Sequence, residues 1–207
     1  MRNLPFFDAN CDIGAPMNAL PCHADTVADL YAEMDRMGVE RALVKYRNVE
    51  SGAVFANDRL AEMLEDDADR RLLGVWNILP EHCDELPHGD AFFDAMKAHR
   101  IVALRHLAGP QRWVPCHLTI GPVMEAARER RIPFLTTHLN YPDGWTGLYR
   151  FIQEFPENIF ITVSFKEVVW SSSIRKRIVT SRIDSIFLAS SAIRTSYRYR
   201  INLSCVL

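Results

Sequence analysis

Short apolar runs and amphipathic stretches alternate five times along the first 165 residues of this 207-residue chain, and a sixth apolar run closes the series. Phe6–Ile13, Ala42–Val44, Leu72–Leu79, Ile101–Leu107, Ile132–Thr137 and Asn158–Val163 read as strands. Between them, Val27, Leu30, Tyr31, Met34 and Met37 recur at the spacing of one helical face. Thr26 with Asp29 fits a capping box ahead of that helix, and Gly38 fits the residue that ends it. Leu60, Met63 and Leu64 mark a second helix beginning near Phe55, and Phe92, Phe93 and Met96 a third. Pro122 to Arg130 is a fourth, and Leu148, Phe151 and Ile152 belong to a fifth that stops at Pro156.

The strands are continuously apolar rather than strictly alternating, the mark of strands buried on both faces in a parallel sheet covered by helices. An open doubly wound sheet and a closed barrel both satisfy this pattern. The first strand–helix turn lacks the G-x-G-x-x-G and G-x-x-x-x-G-K-[ST] patterns of nucleotide-binding open sheets, which favours a (β/α)8 TIM-barrel-like fold. About five and a half β-α units are present, so the barrel is expected to be incomplete. Leu30, Met34, Leu43, Val75, Trp76, Leu104, Phe134 and Ile161 are the expected core.

The pattern stops abruptly. All nine glycines lie at or before Gly147 and all eleven prolines at or before Pro156. The first 169 residues carry 17 basic and 25 acidic side chains, whereas Trp170–Leu207 carries seven basic residues, one acid and nine serines. A partial barrel domain over 1–166 and a basic, Ser/Ile/Arg-rich tail over 167–207 follow from that break. Two readings of the tail stay open: a truncated barrel whose end departs from the frame, or a divergent segment that pairs with exposed strand edges.

Hydrophobic residues make up 48% of the chain and charged residues 24%, with a formal charge of −2, which speaks against bulk binding of nucleic acid or anionic lipid. No apolar run reaches the roughly 18 residues of a membrane helix. The start shows no apolar signal segment, and five cysteines without a Cys-x-x-Cys pair read as reduced thiols, so a cytoplasmic protein is expected. The expected partner is a small-molecule substrate, with neither nucleic acid nor membrane, and the oligomeric state is left open.

In a parallel barrel, chemistry gathers where the strands end. The first strand ends in Asp8-Ala9-Asn10-Cys11-Asp12-Ile13-Gly14. On a regular strand Asp8, Asn10 and Asp12 share one face, as a hydrogen-bond network closing the barrel end or as a ligand site. His106 ends strand four beside Arg105, so one of the two faces a pocket, and Arg105 there either holds a substrate carboxylate by a forked pair of hydrogen bonds or pairs with an acid of the barrel itself. Lys45 and Asn77, ending strands two and three, are secondary candidates. Cys22-His23, His82-Cys83 and Cys116-His117 lie in predicted loops without zinc-finger spacing and read as loop polarity. No G-x-S-x-G elbow is present, and Cys11 between Asn10 and Asp12 is poorly placed to form a thiolate.

Phe6-Phe7-Asp8-Ala9-Asn10-Cys11-Asp12-Ile13-Gly14 resembles the opening strand of the amidohydrolase superfamily, in its amidohydrolase-related branch of TIM-barrel metal-dependent hydrolases and decarboxylases. The likeness continues through Ala32–Val44, Asn57 with Leu60, Leu73-Gly74-Val75-Trp76 before Pro80, and Gly121–Pro133, covering about residues 5–165. The resemblance implies a divalent metal, zinc or another, and a metal-dependent hydrolase or related decarboxylase acting on a small polar molecule. The strand-one histidines of the family fall on Asn10 and Asp12, and the strand-five histidine on Thr137, with His138 one place beyond. Asn10, Asp12 and His138 are therefore the implied metal ligands, and Arg105 and His106 the candidate substrate-binding residues. The strand-six slot holds Ser164, and the strand-eight aspartate has no strand to sit on. A degraded metal site, or a catalytically inactive truncated barrel or pseudoenzyme with a structural or ligand-binding role, is the alternative.

Overall fold

The computed structural model describes residues 6–15, 23–47 and 52–162. The composition break near residue 166, the whole 167–207 tail, Cys22 and Ser164 lie outside the described residues.

Six strands form one parallel sheet in sequence order: β1 (Phe6–Ile13), β2 (Val39–Tyr46), β3 (Leu72–Asn77), β4 (Ile101–Arg105), β5 (Phe134–Thr136) and β6 (Ile159–Ile161). Helices α1 (Val27–Met37), α2 (Ala53–Glu65), α3 (Asp90–Ala98), α5 (His117–Glu129) and α6 (Trp145–Glu154) connect successive strands. A short α4 (Ala108–Gln111) follows β4. Each neighbour in the sheet is the next strand in the chain, which is barrel winding rather than the reversal of a doubly wound sheet. The result is a curled half-barrel.

Local signals place the first helix accurately. Thr26 Oγ1 accepts from the Asp29 amide at 3.2 Å, and Asp29 Oδ2 accepts from the Thr26 amide at 3.0 Å. Such a cap stabilises a helix by about 1 kcal/mol. Gly38, at φ 70°, closes the helix and turns the chain straight into β2. Helix α5, in contrast, begins five residues before Pro122, because Thr119 Oγ1 takes the Cys116 amide at 3.0 Å and starts the first turn there.

The main core lies between the sheet and its helices, with Leu30, Met34, Trp76, Leu104, Phe134 and Ile161 all within it. Gly74 lets Ile101 and Leu64 close over β3, where a side chain would collide with both. A second, smaller cluster of Leu43, Val75 and Ala103 lies on the opposite, inner face, flanked by Leu73 and Leu135. All eight expected core residues are buried. The two clusters explain why the strands read as continuous apolar runs: both faces are covered.

Candidate polar site at the carboxyl ends of the strands

Strand β1 does not keep its alternation. Asp8 pairs with Ala42 but Cys11 pairs with Val44, so three steps along β1 match two along β2, a bulge over Ala9 and Asn10. The expected row of three therefore breaks up. Asp8 Oδ1 accepts from the Asn10 amide at 2.9 Å and interacts with the Cys11 thiol, which packs in the main core. Burial first, then Asp8 and Asp12, push that thiol well above its ordinary range. Cys11 is a core residue here and no nucleophile.

Asn10 and Asp12 converge instead on β2. Lys45 Nζ donates to Asn10 Oδ1 and lies 3.6 Å from Asp12 Oδ1. Register makes this meeting, since Asp12 and Lys45 are direct partners across the two strands. Beyond β1, Gly14 at φ 102° turns the chain away tightly against the Tyr46 ring, its amide bonded to the Ala24 carbonyl at 2.9 Å.

Arg105 and His106 end on opposite sides of the sheet. Arg105 Nε donates to Asn77 Oδ1 at 2.7 Å and Nη2 to the Tyr46 carbonyl at 3.0 Å. A guanidinium carries five N–H groups, so three remain outside these two bonds. Burial draws the Arg105 pKa down to about 10, opposed by Asp12, so it stays cationic at neutral pH. Lys45 is also lowered, first by burial and then by Arg105, while Asp12 works the other way. Asn77 is itself bracketed by α2: its amide donates to Asn57 Oδ1 at 2.8 Å, and Asn57 Nδ2 donates to the Asn77 carbonyl at 2.9 Å. Trp76 Nε1 donates to the Asn57 carbonyl at 3.2 Å.

His106 lies 0% exposed on the helix side. Its ring stacks on Phe134 and meets Tyr141, Trp113 and Phe151. Nδ1 accepts from the Ala108 amide at 3.2 Å, and Nε2 is 3.4 Å from Thr136 Oγ1. Burial drops its pKa to about 3, so the ring is neutral. Of the two adjacent residues, Arg105 belongs to the polar cluster and His106 to the core.

His138 also departs from its expected place. β5 ends at Thr136, so His138 is off the strand and opens a 3-10 turn, His138–Asn140. Its ring lies flat on Trp145, with centroids 4.2 Å apart. Thr136 Oγ1 and Tyr141 Oη share a hydrogen bond at 2.9 Å, which anchors the loop that follows the strand.

Asn10, Asp12 and His138 do not make a fitting metal site. Among the described residues no three His, Cys, Asp or Glu side chains group to hold an ion. Zinc takes three or four nitrogen or sulfur-rich ligands, and magnesium or calcium takes a shell of oxygens with more than one carboxylate. Here one amide and one carboxylate oxygen already face an ammonium, with a second cation, Arg105, nearby. A divalent ion would have to evict Lys45 into a charged, half-buried setting.

Sequence reasoning missed Asn57 and Trp145. Asn57 left a legible trace, as a polar residue within the α2 stripe of Ala53, Ala56, Leu60, Ala61 and Leu64, all buried. Trp145 left none, because its contact with His138 depends on how a loop folds.

By sequence the chain matches no family model and no curated protein. By structure it is similar to a probable 2-pyrone-4,6-dicarboxylic acid hydrolase from Acinetobacter baumannii, crystallised with citric acid bound. The TM-score is 0.61 at 12% identity, over 89% of this chain and 69% of the other. The two share an architecture. No helix among the described residues is long and apolar enough to cross a membrane.

Proposed function

We propose that this chain is a hydrolase-type barrel protein of the amidohydrolase kind that takes a small carboxylate-bearing molecule at the ends of β1 to β4. The carrying observation is the fixed guanidinium of Arg105, held by Asn77 and the Tyr46 carbonyl with three N–H groups outside those bonds. Forked donation from Arg to a carboxylate is strong and directional. Lys45 adds a second positive charge, and Asp12 is the carboxylate that faces it. In a hydrolytic step Asp12 would accept a proton from the attacking water while Lys45 and Arg105 counter the charge that grows on the carbonyl oxygen. The structurally similar protein is described as hydrolysing a dicarboxylic acid and holds citric acid, which is the same ligand chemistry.

Isothermal titration of the full chain with citrate and a panel of dicarboxylates tests the reading. Saturable binding in the micromolar to millimolar range is expected, weakened tenfold or more in Arg105→Gln. A wild-type chain that gives no saturable signal with any of them sinks it. Turnover is followed by pH-stat on carboxylate-bearing lactones and esters, with Asp12→Asn expected to abolish it.

A second reading is binding without hydrolysis. It is favoured by the pairing of Asp12 with Lys45, which engages the carboxylate that the hydrolytic step would use. Retained binding with no turnover across the panel would select it.

A further inference from the structure

We infer that Lys45 supplies the positive charge that a divalent ion would otherwise bring to Asn10 and Asp12, so that this site binds its ligand without a metal. The inference deepens the proposed carboxylate site, though its first test does not depend on that reading. Three observations carry it. The ammonium of Lys45 is bonded to Asn10 Oδ1 and stands 3.6 Å from Asp12 Oδ1, so it uses the same two oxygens an ion would need. Asp8, the nearby acid that could enlarge the donor set, is engaged by the Asn10 amide and the Cys11 thiol across the β1 bulge. Arg105 is buried against Asn77 and Tyr46 and interacts with both Asp12 and Lys45, so among the described residues the cluster holds two cations to one engaged carboxylate. A divalent ion added to that balance meets repulsion from two sides. A carboxylate ligand instead restores neutrality.

The full chain is incubated separately with excess Zn2+, Mn2+ and Mg2+, gel-filtered, and its metal content measured by mass spectrometry. Less than about a tenth of an equivalent is expected for each ion. Metal that remains at full stoichiometry in both Asn10→Ala and Asp12→Asn sits elsewhere and agrees with the inference. About one equivalent in the wild type that is lost in those variants, with circular dichroism showing them folded, overturns it. Citrate titration then needs no variant. The same affinity with and without EDTA is expected, whereas a tenfold loss that added metal restores would overturn the inference. Absence of citrate binding both in the metal-free chain and after metal is added back removes the proposed carboxylate site and leaves the metal result standing.

Discussion

The two ends of the sheet solve the burial of charge in opposite ways. At the amino ends, Asp67 has a side chain that is 0% exposed and is saturated with donors. It accepts from Arg100 at 2.5 Å, from Tyr31, and from the Arg71 and Leu72 amides at 3.0 and 3.1 Å. Burial alone would raise its pKa, yet these bonds outweigh burial and hold it below the ordinary carboxylate range. The hub ties α1, the end of α2, the start of β3 and the turn before β4 together. At the carboxyl ends, Lys45 and Arg105 share one facing carboxylate, Asp12. A closed network rigidifies and is costly to open, whereas an unbalanced one holds charge ready for something that is not protein. In this molecule the amino-end charge is saturated by protein donors, whereas the excess positive charge at the carboxyl end underlies the proposed ligand site.

Breaking the hub should give the largest effect. Asp67→Ala removes a fully buried carboxylate and strands a half-buried guanidinium, a phenol and two amides, and should cost about 3–5 kcal/mol in urea denaturation. A loss under about 1 kcal/mol would erase the contrast between the ends. Asn57→Ala comes next, at about 2–3 kcal/mol for the backbone amide, carbonyl and side-chain NH2 of Asn77, which all lose Asn57 as partner. Because Asn77 holds Arg105, the same variant should weaken citrate binding several-fold, linking a stability residue to the site.

Acid gives a third test, on the helix side of the sheet. His106 has a folded pKa of about 3, below its unfolded value of roughly 6.5, so it favours the folded state fully only above pH 6.5. That contribution drains away as pH falls from 6.5 towards 3, at up to about 1.4 kcal/mol per pH unit. In His106→Phe the slope of stability between pH 6 and 4.5 should flatten by about 1 kcal/mol per unit. An unchanged slope would mean another group governs acid unfolding. The depressed carboxyl of Asp67 adds its own loss at lower pH, below about 4.

The smallest stability effect is expected at Lys45. Its side chain is 18% exposed and Asp12 34%, so removal of the ammonium leaves a carboxylate that water can reach. Lys45→Met should shift stability by less than about 1 kcal/mol in either direction. Its citrate affinity should nonetheless drop tenfold or more. A variant that binds citrate normally would take Lys45 out of the site.

Much of the fold was legible before any coordinates. Helix α1 is set by Thr26, Asp29 and Gly38, all within one turn of its ends, so neighbouring residues alone define it. The parallel arrangement follows from runs such as Leu72–Asn77, whose alternate residues Trp76 and Val75 belong to different apolar clusters. The site was legible only in parts. Arg105, Lys45 and Asn77 stand out as polar residues ending apolar strands, but a strand's period of two leaves open which of Arg105 and His106 faces inward.

The amino-acid order thus determined the β-α repeat, the buried stripes and the polar strand ends, because each depends on periodicities of two or 3.6 residues read over short distances. Tertiary structure decided the rest. The β1 bulge, which separates Asp8 from Asn10 and Asp12, exists only because β1 pairs with β2 in that register. The inward place of Arg105 depends on Asn57 reaching from α2 to hold Asn77, and the burial of His106 on aromatic residues of β5, α6 and the loops between. Those partners lie 20 to 45 residues away in the chain, and no local pattern encodes a contact at such a range.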